Sequence, residues 1–145
     1  MESQSITNPM EQFYTAHRAS QGAKVFLRTP TGEVTEHWMR LRGIDSEEFR
    51  VAQSRSNRQA VSLASMEDKD ARDRSALRAQ TEMIASLVMD WSFPQECTKE
   101  NVIEFLLQAP QFEDMIDRAV SDRALFFALE SSSSNDSPDT TLNLT

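Results

Sequence analysis

The run W-S-F-P-Q-E-C-T-K-E-N-V-I-E-F-L-L-Q-A-P-Q-F-E-D-M-I-D-R-A-V-S-D-R-A-L-F-F, Trp91 to Phe127, decides how the rest of the chain must fold. It carries most of the eight Phe and one of the two Trp in a chain that is 26% charged. Phe93-Pro94 breaks whatever precedes it, because the proline ring crowds the residue before it out of the α region. Thr98 then offers an N-cap hydroxyl, and Glu100 sets a carboxylate against the positive end of the helix dipole. Val102, Ile103, Phe105, Leu106 and Leu107 are apolar around most of a helix circumference, the pattern of a helix enclosed by neighbours. Ala109-Pro110 ends it, and Pro110 can open the next helix at its first position, where no amide donor is needed. Phe112, Met115, Ile116, Ala119, Val120, Phe126 and Phe127 follow at helical spacing. Two helices, over about 98–109 and 110–129, are expected here.

Upstream, residues 68–91 read as one long amphipathic helix. Its start is densely charged, with Asp68–Arg72 and Asp70–Arg74 at ion-pair spacing. Its end is apolar at Ile84, Leu87, Val88 and Trp91, flanked by Met83 and Met89. Before it, Asp45 is a candidate N-cap with Glu48 completing a capping box and Ile44 stapling Phe49, which predicts a helix over about 45–65. Lys24–Thr29 and Val34–Arg42, joined by Pro30-Thr31-Gly32-Glu33, read as a β-hairpin spanning about 24–42. Such a hairpin is marginal alone and must pack on helices. Asn8-Pro9 opens a further helix through Met10, Phe13, Tyr14 and His17, ended by Gly22. The fold class expected is therefore α+β, mainly α: an N-terminal β-hairpin on a bundle of four to five helices. One domain over 9–130 is flanked by a disordered segment 1–8 and a polar, Ser-rich tail 131–145.

Composition narrows function by exclusion. The net charge is −8, and the excess acid is local: residues 80–130 hold three Lys/Arg against ten Asp/Glu. Sequence-independent nucleic-acid binding needs clustered base, so no nucleic-acid partner is expected. No apolar run approaches the roughly 20 residues that span a bilayer, so no membrane partner is expected either. Cys97 is the one cysteine and cannot form an internal disulfide. His17 and His37 lie twenty residues apart without ligand spacing, so no metal is expected. Carboxylate pairs such as Asp114 with Asp117 and Asp68 with Asp70 lack the partners that acid–base or two-metal chemistry needs. With only three Gly, no phosphate cradle can be built. No catalytic residue and no cofactor are expected. Arg50, Arg55, Arg58, Arg72, Arg74 and Arg78 are interleaved with acids and read as an ion-paired helix surface.

Two runs resemble the tail assembly chaperones of long-tailed bacteriophages: Gly22 to Arg50 and Leu87 to Phe127. The matching features are Pro30 with T-G-E, Trp38, Gly43 with D-S, Phe49, Trp91, T-x-E-N at 98–101, Ala109-Pro110, Ile116 and D-R at 122–123. They cover about residues 13–130 in the expected order. This resemblance implies a non-enzymatic chaperone in tail morphogenesis. It would bind the tape measure protein, a long helical ruler, and keep it soluble until tail tube protein replaces it. It also implies action in the host cytoplasm, absence from the mature virion, and pairing with a longer, frameshifted form of the same chain. The present chain would be the short form.

Apart from that resemblance, Met and aromatic side chains are suited to irregular helical partners. Met83, Met89, Trp91, Phe93, Phe112, Met115, Phe126 and Phe127 are accordingly the candidate partner-binding residues, divided between core and partner in a proportion the sequence leaves open. Self-association into a homo-oligomer would multiply weak contacts along a ruler. Two alternative readings share this composition: a small acidic helical adaptor or inhibitor of a host protein, and a minor structural tail component.

Overall fold

The computed structural model describes residues 8–127. The segments expected to be disordered, 1–8 except Asn8 and 131–145, lie outside the described residues. So do residues 128 and 129 of the last expected helix. The fold is α+β and mainly helical, with three antiparallel strands. β1 (Ala23–Arg28) and β2 (Val34–Leu41) form the expected hairpin, Val25 opposite Met39 and Phe26 opposite Trp38. Its turn closes through Gly32, whose φ of +96° favours glycine. The Gly32 amide donates to the Thr29 carbonyl at 2.8 Å. Alternation buries Ala23, Val25 and Leu27 on one face and leaves Lys24, Phe26 and Arg28 half-buried.

The largest correction concerns residues 68–91. They are a helix, α3, only over Lys69–Ala85, and Val88–Trp91 forms a third strand, β3, against β2. Ser86 caps α3, and the chain then extends: Arg42 N–H donates to Leu87 O at 2.8 Å and Ser92 N–H to Trp38 O at 3.1 Å. The misleading signal is the three-residue spacing of Val88 and Trp91, which suits a helix and would put them on opposite faces of a regular strand. A register shift between Arg40 and Leu41 pairs Leu41 with Val88 and Met39 with Trp91, so both inserted side chains reach the core. Extended backbone here also satisfies the outer edge of β2, which a helix would leave unpaired.

Smaller corrections share a theme, the displacement of a cap. The segment after Asn8 is a 3-10 helix, Pro9–Phe13, followed by a separate short helix, α1 (Ala16–Gln21). Asn8 does cap the first, accepting from Met10 N–H at 3.1 Å, and Gly22 at φ +83° ends the second. Helix α2 (Glu47–Leu63) is capped by Ser46, not Asp45: Ser46 Oγ accepts from Phe49 N–H at 3.2 Å. Glu48 therefore closes no capping box, and it accepts instead from Ser20 Oγ at 3.2 Å. Asp68 caps α3, and the ion pairs along it are Lys69–Asp73 at 3.2 Å and Arg78–Glu82 at 3.5 Å in place of those expected.

The organising run behaves largely as read. Thr98 caps α4 (Lys99–Gln108), its hydroxyl accepting from Asn101 N–H at 3.1 Å. Pro110 stands one residue ahead of α5 (Gln111–Ser121) with helical angles, and its carbonyl accepts from Glu113 N–H. Helix α5 does not continue to 129. Asp122 adopts an extended conformation, and its carboxylate accepts from Ala124 N–H at 3.1 Å, so a new helical turn begins at Leu125. The core lies between the inner sheet face, α4, α5 and the end of α3, where Met39, Leu41, Leu87, Val102, Leu106, Ile116 and Val120 are fully buried.

Candidate partner-binding surface

Four rings form a continuous row where the ends of β2 and β3 meet α4 and α5. His37 stacks on Phe93 at 4.9 Å, Phe93 meets Phe105 at 5.3 Å, and Phe105 stacks on Phe112 at 5.3 Å. Trp91 backs the row edge-on, 5.3 Å from Phe93 and 5.8 Å from Phe105. Trp91 is buried; the other four rings are half-buried, with one side in the core and one toward solvent. Edge-to-face and offset contacts at these spacings are favourable beyond simple burial.

Local hydrogen bonds hold the row in place. Ser92 Oγ accepts from Trp38 N–H at 2.9 Å and lies 3.0 Å from His37 Nδ1, fixing the imidazole over Phe93. The indole N–H of Trp91 donates to Gln95 O at 2.7 Å, and Asn101 Nδ2 donates to Glu96 O at 2.8 Å. Together these pin the proline-containing loop that turns Phe93 outward. On the α5 side, Thr81 Oγ1 is fully buried within reach of both Leu77 O (3.1 Å) and Glu113 Oε2 (2.9 Å), and its single proton serves one at a time. That contact ties the first turn of α5 to α3.

The eight residues singled out by sequence do not make one surface. Phe93 and Phe112 stand in the row with Trp91 behind them. Phe126 is 6% exposed and belongs to the core. Met83 and Met115 are half-buried against the core outside the row. Met89 lies at the strand irregularity, its sulfur over Gly22. Phe127 is 38% exposed, its ring 5.1 Å from the Arg18 guanidinium. Two members of the row, His37 and Phe105, escape a reading of the sequence. Phe105 is masked by an apolar run that reads as core throughout, and His37 carries no local signal at all. A second apolar segment, Met10, Phe13 and Tyr14, whose spacing reads as helical, is 53–75% exposed around the 3-10 helix.

Cys97 is half-buried, and burial with the nearby Asp90 carboxylate pushes its thiol up, away from the reactive thiolate. Among the described residues no group of three or more His, Cys, Asp or Glu is placed to hold a metal ion, and no helix is long and apolar enough to cross a membrane. One bidentate ion pair spans the fold: Arg123 donates from Nε and Nη2 to the two Asp45 oxygens at 2.6 and 3.0 Å. This bond holds the Asp45 carboxyl below the ordinary carboxylate range, partly offset by burial. It also joins two of the sequence features that carry the resemblance, D-S at 45–46 and D-R at 122–123. No protein-family model matches this sequence, and no curated protein or solved structure matches it either.

Proposed function

We propose that this chain is a non-enzymatic chaperone of bacteriophage tail morphogenesis, which binds the tape measure protein and keeps it soluble and competent for tail tube polymerisation. The ordered sequence resemblance supplies the partner; the half-open row His37–Phe93–Phe105–Phe112 is the observation that supports contact as the mode of action. Rigid aromatic side chains lose little conformational freedom on binding and accept the Leu, Ile and Met of an amphipathic helix in many registers. Such tolerance suits a ruler that offers many similar stripes and no single epitope. Helices α4 and α5 carry exposed Glu100, Glu104, Asp114 and Asp117, whose charge would keep a coated ruler dispersed. Weak contacts repeated along one ruler gain from avidity, and a homo-oligomer, or a mixed one with a longer frameshifted form, would strengthen them. The action belongs in the host cytoplasm, and release by tail tube protein leaves the virion without the chaperone.

Co-expression with the tape measure protein of the same phage tests this. The expected result is a larger soluble fraction of ruler and its recovery with the tagged chain. No co-purification and no gain in ruler solubility would overturn the proposal. Recovery of a host protein in its place would favour an adaptor or inhibitor, and detection of the chain in purified virions by mass spectrometry would favour a structural tail component.

A further inference from the structure

Helix α2, the end of α3 and the start of α4 enclose a cleft of about 200 Å³. Arg42, Arg55 and Lys99 line it, and the one carboxylate among the described lining residues is Glu82, which is engaged by Arg78 at 3.5 Å. Three cations, one of them (Arg42) beside Glu48, face one already paired acid in a chain whose net charge is −8. Among the described residues, neither Arg55 nor Lys99 has an ion-pair partner. Arg42 is held in place by donation from Nη1 to Ser86 O, yet its Nε–H is buried with no acceptor. Glu48 Oε1 lies 3.9 Å from that nitrogen, which makes it an electrostatic neighbour but leaves it too far for a hydrogen bond. A buried donor on a guanidinium is expensive to leave unmatched. That nitrogen exposes no surface to the cleft, so Arg42 contributes its charge there and not this donor.

We propose that this cleft binds a small oxyanion group, a carboxylate or a phosphate. Arginine presents a planar fork that matches either group, and lysine adds a point charge. The hydroxyls of Ser56 on α2 and Thr98 at the start of α4 also line the cleft and can donate to the remaining oxygens. The volume falls below the roughly 300–1,000 Å³ of sites that enclose drug-sized ligands, so the cleft takes one anionic group and not a nucleotide. The sequence treats Arg55 as one member of a self-neutralised stripe; in the fold it has no ion pair among the described residues and lines the same cleft as Arg42 and Lys99. This inference is independent of the chaperone proposal.

The test is an amide chemical-shift titration of the full chain with inorganic phosphate and, separately, with acetate, at constant ionic strength set by chloride. Saturable shifts are expected at Ser86 and Cys97–Asn101. The double variant Arg55→Gln, Lys99→Gln changes two exposed side chains and so keeps the fold; it should weaken binding about tenfold or more. Saturation by phosphate alone assigns the site to phosphate, and saturation by acetate to carboxylate. Shifts that never saturate, or an affinity unchanged in the double variant, would overturn the proposal.

Discussion

Helices α2–α3 and α4–α5 are both consecutive helix pairs, and they are built on opposite principles. In the first, two helices of 17 residues bury four side chains, Phe49, Thr81, Ile84 and Ala85, all near the end that meets the core. In the second, helices of 10 and 11 residues bury five: Val102, Ile103, Leu106, Ile116 and Val120. The long pair is sustained by caps, by i,i+4 ion pairs and by helix-forming residues, each worth a fraction of a kcal/mol to about 1 kcal/mol. The short pair is sustained by burial, at about 25 cal/mol per Å² of apolar surface. Length of helix is therefore a poor guide to where this protein keeps its stability. The far end of α2–α3 should open without disturbing the sheet, whereas α4–α5 should open only with the whole domain.

The largest effect expected follows directly. Leu106→Ala and Ile116→Ala, at two fully buried positions, should each cost about 2–5 kcal/mol in denaturant unfolding. On the long pair, Val61 is 76% exposed and Leu77 59% exposed. Val61→Ala and Leu77→Ala should therefore stay within about 0.5 kcal/mol of the parent chain. Similar losses at both kinds of site would break the contrast.

The seam between the two pairs gives the next test. Gly43 precedes α2 and lies under Phe126, beyond α5. A Cβ there would sit 2.9 Å from Ala19 Cβ and 3.1 Å from Phe126 Cε2, tighter than packed atoms tolerate. Gly43→Ala should cost about 1–3 kcal/mol, read as a lowered melting temperature. Gly22→Ala combines a strained φ of +83° with crowding against Leu41 O and the Met89 sulfur, and should also destabilise. A neutral Gly43→Ala would mean that Phe126 is free to move and that the seam is loose.

How much of this contrast is legible in the sequence depends on whether its cause is local. Thr98, Asn8 and Gly22 act on their own neighbours, and each does what its residue type suggests. Pro110 misleads by one residue only, within the ordinary uncertainty of helix boundaries. The third strand is hidden because its inward positions depend on a register shift against β2, a partner some fifty residues away. Asp45 looks like a cap because Asp often is one; its carboxylate instead reaches Arg123, and the adjacent Ser46 takes the role. The candidate surface is half legible. Phe93 and Phe112 stand out in the sequence, while Phe105 and His37 need the tertiary fold to separate row from core. The same fold sends Met89 to another site.

The Asp45–Arg123 pair crosses the seam and can be read by pH. Because the folded pKa of Asp45 is lowered, chiefly by its hydrogen bond to Arg123, its contribution is complete above the ordinary carboxylate pKa. That contribution is lost as pH falls through the lower folded value. Asp45→Asn should therefore lower the melting temperature near neutrality and flatten its decline in acid, the two proteins converging below the folded pKa. Parallel melting curves through the acid range would sink this account of the seam.

The smallest effects sharpen the comparison most, because they use one chemistry in two places. Thr98 caps α4 and Asp68 caps α3, each accepting a first-turn amide at 3.0–3.2 Å. Replacing either by Ala removes a bond worth about 1 kcal/mol to its own helix. At α4 the helix opens only when the domain does, so Thr98→Ala should lower global stability by about that amount. At α3 the capped end lies far from the core, where fraying is already cheap, so much of the loss is absorbed locally. Asp68→Ala should leave the denaturant midpoint nearly unchanged while speeding amide exchange through the first turns of α3. Amides of β2 and α4 should exchange as before. Should both substitutions lower the midpoint equally, α2–α3 unfolds with the core and the two pairs are one cooperative unit after all.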